Sequence, residues 1–296
     1  MEFPPSGVII SDGGLATELE HRGHDLRDPL WSARLLRDDP AAIRAVHAAY
    51  FAAGARIATT ASYQASIDGF VARGSTPAEA AALIRRSVTL ALAARAELPD
   101  PAEGYVAASI GPYGAALADG SEYRGRYGLP KRRLADWHRP RLELLAETLD
   151  ERGGGADLLA CETIPDLDEA EALVELIGEL GVPAWLSYTI EGDRTRAGQP
   201  LREAFALAEA PGIVAVGVNC CDPADVRGAL EIAREVTGRP LLAYPNSGEG
   251  WAGRWTGPSR FDAAAARSWV ATGARIVGGC CRVGPEGITI LAQLLS

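Results

Sequence analysis

Lysine is nearly absent from this chain: Lys131 is the only one in 296 residues. It falls in a polar stretch opening a helix, away from any strand end, which argues against a Schiff-base aldolase. Basic patches are missing as well. Net charge is −10, and the short KRR run at 131–133 reads as a solvated helix start, so binding to nucleic-acid phosphate is not expected. No apolar run is long enough to span a bilayer, and no charged-then-apolar leader is present, which leads to the expectation of a cytoplasmic protein. There is no strand–GxGxxG–helix unit for a dinucleotide and no C-x-x-C for thiol–disulfide exchange. Five cysteines are too few for a disulfide framework, and an odd count leaves a thiol over. In a reducing compartment, clustered cysteines bind metal or do chemistry. The four histidines, His21, His24, His47 and His138, fall in helices or early loops and read as surface or internally satisfied groups.

What is present is a regular alternation. Short apolar runs at 7–10, 56–60, 105–110, 157–161, 184–189, 213–219, 240–244 and 275–279 read as eight strands. They are continuously apolar, as strands buried on both faces are. Helix start signals fall between them. Asp39-Pro40 and Asp222-Pro223 pair an N-cap with a first-turn proline, and Thr76-Pro77-Ala78-Glu79 is a capping box. Ser259 and Asp262 are placed to open another helix, and the rest fall near 132–151, 168–180, 201–209 and 286–295. Eight βα units predict one α/β domain over 1–296, a single (β/α)₈ TIM-type barrel, with a doubly wound open sheet as the alternative. The long irregular stretch 111–130 is placed to form a lid over the barrel mouth.

Barrels of this kind carry their chemistry at the C-terminal ends of the strands. Those ends hold Asp12-Gly13-Gly14, then Thr60, Tyr63 and Gln64, then Cys161-Glu162, then Asn219-Cys220-Cys221, then Asn246, then Cys280-Cys281. Cys220, Cys280 and Cys281 could share a soft metal such as Zn²⁺, leaving a fourth position open to a thiol substrate. Adjacent strand residues point to opposite faces, so Cys280 and Cys281 require the strand to end between them. A vicinal disulfide or plain buried thiols are the alternatives. Asp12 and Glu162 could meet a substrate ammonium, and Gly13 and Gly14 could offer N–H groups to its carboxylate. Asp12 could equally be a helix cap and Glu162 part of an ion pair. Asn219 and Asn246 either orient loops or contact substrate. The rim aromatics Tyr63, Tyr123, Tyr127, Tyr244, Trp251 and Trp255 suit a sulfonium cation.

The segments DGGLATEL (12–19), TASYQAS (60–66), GPYGAALADGSEYRGRY (111–127), CETIPDLDEA (161–170), GVNC (217–220), YPNSGE (244–249) and GGCC (278–281) together resemble the zinc-dependent homocysteine S-methyltransferases. The branch that uses S-methylmethionine or S-adenosylmethionine is the most similar. The resemblance covers nearly the whole chain. It implies a (β/α)₈ barrel, zinc on Cys220, Cys280 and Cys281, and acids at Asp12 and Glu162 for the homocysteine amino group. The implied reaction moves a sulfonium methyl to the metal-held thiolate of homocysteine, giving methionine. Selenocysteine or another small thiol is a second acceptor, and a zinc-storing or metal-sensing protein is the non-enzymatic alternative. Cys221, beside Cys220, departs from the family pattern, and Cys161 is expected to be a buried non-ligand.

Overall fold

The computed structural model describes residue 3 and residues 7–150, 154–251 and 255–295. Eight strands succeed one another around a barrel: β1 (Ile9–Ile10), β2 (Ile57–Thr59), β3 (Tyr105–Ile110), β4 (Leu158–Ile164), β5 (Ala184–Tyr188), β6 (Ile213–Asn219), β7 (Leu241–Tyr244) and β8 (Ala274–Val277). Every neighbouring pair is parallel, in the order β1-β8-β7-β6-β5-β4-β3-β2. The two ends of that order meet. Ser11 bridges Ile57, the Arg56 N–H donates to the Ile10 carbonyl at 2.7 Å, and the Asp12 N–H donates to the Ile57 carbonyl at 3.1 Å. This seam closes the sheet and rules out a doubly wound sheet, which would keep two free edges.

The helices of the outer ring are α1 (Pro40–Ala52), α2 (Pro77–Arg95), α3 (Lys131–Ala146), α4 (Leu167–Leu180), α5 (Leu201–Ala206), α6 (Pro223–Val236), α7 (Ala265–Thr272) and α8 (Pro285–Leu295). Their starts follow the sequence signals. Asp39 accepts from the Ala42 N–H, Asp222 accepts from the Ala224 N–H, and Thr76 and Glu79 bond reciprocally. Three expectations shift. The helix expected over 132–151 ends at Ala146, residue 151 itself lying outside the described residues. The one expected over 201–209 tightens into a 3₁₀ turn at Leu207–Glu209. Ser259 and Asp262 brace the turn ahead of α7, bonding the Phe261 and Ala264 N–H groups, and Ala264 takes the cap position itself.

Side chains alternate between two cores. Ile9, Ile57, Ala107, Leu158, Ala160, Trp185, Ala215, Leu242, Tyr244 and Ile276 fill the barrel interior. Leu159, Cys161, Leu186, Val216 and Cys221 face the helices. The period-two alternation of β4 therefore sends Glu162 inward with Leu158 and Ala160, and Cys161 outward. β4 also runs three residues past the expected end at 161, with a register shift between Cys161 and Ile164. Where β6 meets β7 the backbones nearly touch, since a Cβ on Gly217 would lie 1.9 Å from the Leu242 carbonyl oxygen.

The loops over the mouth are anchored from the helical layer. Stretch 111–130 is partly ordered into a helix at Tyr113–Leu117 and a 3₁₀ turn at Ser121–Tyr123. Buried Arg141 on α3 donates to the carbonyls of Tyr63 (3.2 Å) and Gly111 (2.6 Å) and to His138 Nδ1 (3.0 Å). The Nε2 of His138 is then left to donate to Glu169 on α4, at 2.8 Å. Glu169 also accepts from the Tyr113 N–H and the Tyr127 hydroxyl. Charge buried this way is stable only while every partner is present. Glu169→Ala strands His138, Arg141 and the Tyr113 N–H together, and should lower unfolding free energy by about 3 kcal/mol. Urea denaturation read by fluorescence measures it, and a loss below about 0.5 kcal/mol would mean the network is not structural.

Candidate active site

Cys220 and the Cys280–Cys281 pair come from strands separated by β7, and the backbone turns sharply to join them. Cys220 adopts a left-handed φ of 48°, unusual outside glycine. The exit of β7 holds both sides in place. Cys220 N–H donates to Tyr244 O (3.2 Å), Cys280 N–H to Pro245 O (2.7 Å), and Ser247 N–H to Cys281 O (3.0 Å). The three Sγ atoms lie within 4.8 Å of one another, with Cys220 and Cys281 at 3.6 Å. Sulfurs around a tetrahedral zinc with bonds of about 2.3 Å are about 3.8 Å apart, so this nest fits such an ion. All five cysteines are free thiols, which disposes of the vicinal disulfide. Hydrogen bonds from Cys220 and Cys280 hold the Cys281 thiol well below its usual range, while bonds to Cys220 and Cys281 together with burial push Cys280 up. Cys221 is buried against the helices and takes no part in the group.

Two acids line the barrel interior beside the sulfurs. Asp12 accepts from the Thr59 N–H and hydroxyl, both at 2.7 Å, so it caps no helix. Burial pushes its carboxyl up to about 7 against those bonds. Glu162 accepts a short bond from the Ser109 hydroxyl. Burial pushes it up to about 8, with Asp12 adding to the rise. No ion pair is formed by Glu162 among the described residues. Gly13 is required where it stands, because a Cβ there would sit 2.2 Å from the Val283 carbonyl. Gly14 leads directly into a helix at Leu15–His21, but its own N–H is taken by Val283 O at 3.0 Å. The N–H groups that could meet a carboxylate are those of Gly13 and of the helix's first turn.

The remaining residues divide between facing the sulfurs and holding the frame. Thr60 accepts from the Ser109 N–H and bonds Ser62, which bonds the Ser109 carbonyl, so its hydroxyl joins β2 to β3. Gln64 donates to the Ala115 carbonyl at 2.8 Å. Asn219 is wholly buried, and both ends of its amide engage Thr163, which has a φ of 59°. Asn246 braces its own loop through the Gly248 N–H. Tyr123 brings its hydroxyl 3.1 Å from Cys220 Sγ. Tyr63 is half-buried and meets Trp31 edge-on, ring centroids 6.4 Å apart. Tyr127 turns away to Glu169, and Tyr244 packs inside the barrel 6.1 Å from Trp185. Trp255 lies on a two-residue strand outside the barrel, and the side chain of Trp251 is outside the described residues. Of the expected rim aromatics, Tyr63, Tyr123 and Tyr244 lie near enough to the sulfurs for the thiols to act on them. Trp31, at a left-handed φ of 48°, joins Tyr63 with no local sequence signal to announce it. Ser109 was also unannounced, reading as an ordinary strand residue, whereas Thr59 was among the polar residues expected at the end of the second strand.

Comparison with known proteins agrees with this geometry. The family profile described as homocysteine S-methyltransferase matches residues 9–295. The homocysteine S-methyltransferase YbgG of Bacillus subtilis is 44% identical, the match covering 96% of this chain and 93% of that protein. A selenocysteine Se-methyltransferase of Brassica oleracea is 42% identical over 98% of this chain and 89% of its own length. The crystal structure of the Escherichia coli homocysteine methyltransferase MmuM, in a metallated form, superposes with a TM-score of 0.87 at 44% identity, covering 98% of this chain and 96% of that one. A closed parallel barrel, three converging thiols at its mouth and likeness along nearly the whole chain lead to one conclusion: the chain belongs to the homocysteine S-methyltransferase family.

Proposed function

We propose that this protein transfers a methyl group from a sulfonium donor, S-methylmethionine first and S-adenosylmethionine second, to the sulfur of L-homocysteine, with Zn²⁺ held by Cys220, Cys280 and Cys281. The observation that carries the proposal is the three-thiol nest set directly beside two buried acids. Zinc held by those three thiols would supply the positive charge that keeps a substrate thiol ionised near neutral pH, where a free thiol of pKa about 8.5 is mostly protonated. Asp12 and Glu162 take the substrate ammonium, and the first turn after Gly14 takes its carboxylate. The proton of the thiol leaves to solvent. The acceptor sulfur forms a bond to the methyl carbon as the donor's carbon–sulfur bond breaks, and the donor departs as a neutral thioether. Anion and cation disappear together, so a pocket walled by Tyr63, Tyr123 and Trp31 that excludes water favours the transition state. Alignment of sulfur, methyl and leaving sulfur supplies much of the remaining rate. Free thiols at the centre fit a reducing compartment such as the cytoplasm. The Brassica relative carries the second reading, a selenol acceptor in the same nest.

A methionine-forming assay on reduced, zinc-loaded protein tests the reading. Homocysteine is supplied with S-methylmethionine, S-adenosylmethionine or betaine, beside a selenocysteine arm and a chelator-stripped control. Turnover that vanishes on stripping and returns with zinc is expected. Zinc that stays bound with no turnover in any arm would refute the methyl-transfer reading. Cys280→Ala should weaken zinc binding by more than about 100-fold, beyond the effect of a supporting residue, and abolish turnover. Stoichiometric zinc in that variant would remove Cys280 from the ligand set. Glu162→Gln should raise the KM for homocysteine about 10- to 100-fold with zinc content unchanged.

Burial raises both acids, so in the free protein they take up protons as pH falls through about 8 and then about 7. Each must ionise to meet an ammonium. Affinity for methionine, which has the same amino-acid end and no thiol to titrate, should therefore weaken as pH drops from 8.5 to 6. Titration calorimetry at several pH values reads it, and a flat profile would mean the acids do not contact the amino group.

A further inference from the structure

The stretch over the mouth carries a partly buried carboxylate with one oxygen that its surroundings leave unpaired. Glu122 lies in the 3₁₀ turn Ser121–Tyr123, and its Oε2 is enclosed yet accepts no hydrogen bond among the described residues. The other acids around the mouth are committed. Asp12 is bonded to Thr59, Glu162 to Ser109, Glu169 to His138, Asp166 to the Arg126 N–H and Gln199, and Glu249 to Arg282. The turn itself is firmly seated. A Cβ on Gly114 would lie 2.4 Å from the Glu122 nitrogen, so the turn packs directly on the helix Tyr113–Leu117. The next residue, Tyr123, places its hydroxyl 3.1 Å from Cys220 Sγ, fixing the turn over the thiol nest. Glu122 is close enough to Cys220 and Tyr63 for their charges to act on one another.

An enclosed acceptor without a donor is costly, and a carboxylate more so than a neutral group. Burial pushes its carboxyl above the usual range, eased in part by its own backbone N–H, and the enclosed Oε2 is still left without a donor among the described residues. The missing partner must bring both positive charge and an N–H. A sulfonium centre supplies the charge but has no hydrogen to donate; an ammonium supplies both. Asp12 follows β1 and Glu162 lies on β4, whereas Glu122 hangs from the overlying segment; with the first two assigned to the acceptor's ammonium, Glu122 is left for the donor's.

We propose that Glu122 receives the ammonium group of the methyl donor, and so selects sulfonium amino acids over sulfonium compounds lacking an amino group. This rests on the methyl-transfer reading above. The test uses full-length zinc-loaded protein, wild type beside Glu122→Gln and Glu122→Asp. Two probes are titrated at equilibrium, S-methylmethionine and its des-amino analogue, and KM values are measured for donor and homocysteine separately. The wild type should bind S-methylmethionine at least about tenfold more tightly than the analogue. Glu122→Gln should erase that preference and raise the donor KM by a similar factor, leaving the homocysteine KM and zinc content unchanged, while Glu122→Asp retains part of the preference. A preference that survives Glu122→Gln, or a loss that falls on homocysteine instead, overturns the assignment while turnover upholds the parent reading. Preferential binding without turnover by the wild type would do the reverse, supporting the ammonium site and refuting methyl transfer.

Discussion

Everything at this site depends on bringing sulfurs from β6 and β8 together across β7. Adjacent strands lie about 4.8 Å apart, so two strands separated by a third are about 10 Å apart, farther than two cysteine side chains reach from regular backbone. Both segments therefore leave their strands and bend over the end of β7. Cys220 takes a left-handed conformation, and Gly278-Gly279 release the other side. The peptide groups of Tyr244, Pro245 and Ser247 hold the bent segments by direct hydrogen bonds. The strain sits at one thiol of the nest and is held by its neighbours, as strained residues at candidate functional sites commonly are. Thr163, also left-handed, is held by Asn219, the residue preceding Cys220, so one buried amide couples β4 to the thiol nest.

The electrostatic character of the pocket follows from burial more than from pairing. Asp12 and Glu162 face the interior with hydroxyl and amide partners and no described cation beside them. They remain close to their titration points, ready to ionise when an opposite charge enters. The same water exclusion that raises them strengthens whatever they bind. The scarcity of lysine has a structural counterpart: Lys131 lies at the start of α3, paired with Glu171 and Glu175 and not with the two buried acids.

The strands at 105–110 and 213–219 were legible to the residue, because long apolar runs bounded by polar turns admit one reading. The three thiols were legible because strand-end cysteines in two segments have few other uses. The partners that hold them were not. Ser109 looks like any small strand residue, Trp31 depends on a turn with no signature, Thr60 turns out to tie β2 to β3, and Gln64 to hold the segment after β3. The short helices Leu15–His21 and Ile67–Val71 span too few turns for periodicity to register. Such roles are fixed by which strands become neighbours around the barrel, information that no local window holds.

The Arg141–His138–Glu169 network has a kinetic consequence. It grips the loop after β2 at Tyr63 and the segment after β3 at Gly111, Tyr113 and Tyr127, all from one buried point. Gln64 ties the two to each other at the Ala115 carbonyl, while Asp166 and Arg196 hold the far end of the second at Arg126 and Tyr123. A fluctuation that frees one removes the support of the other, so the two form a single cooperative opening unit. Amide exchange along both should share one opening free energy, set in the helical layer and not by the sheet beneath.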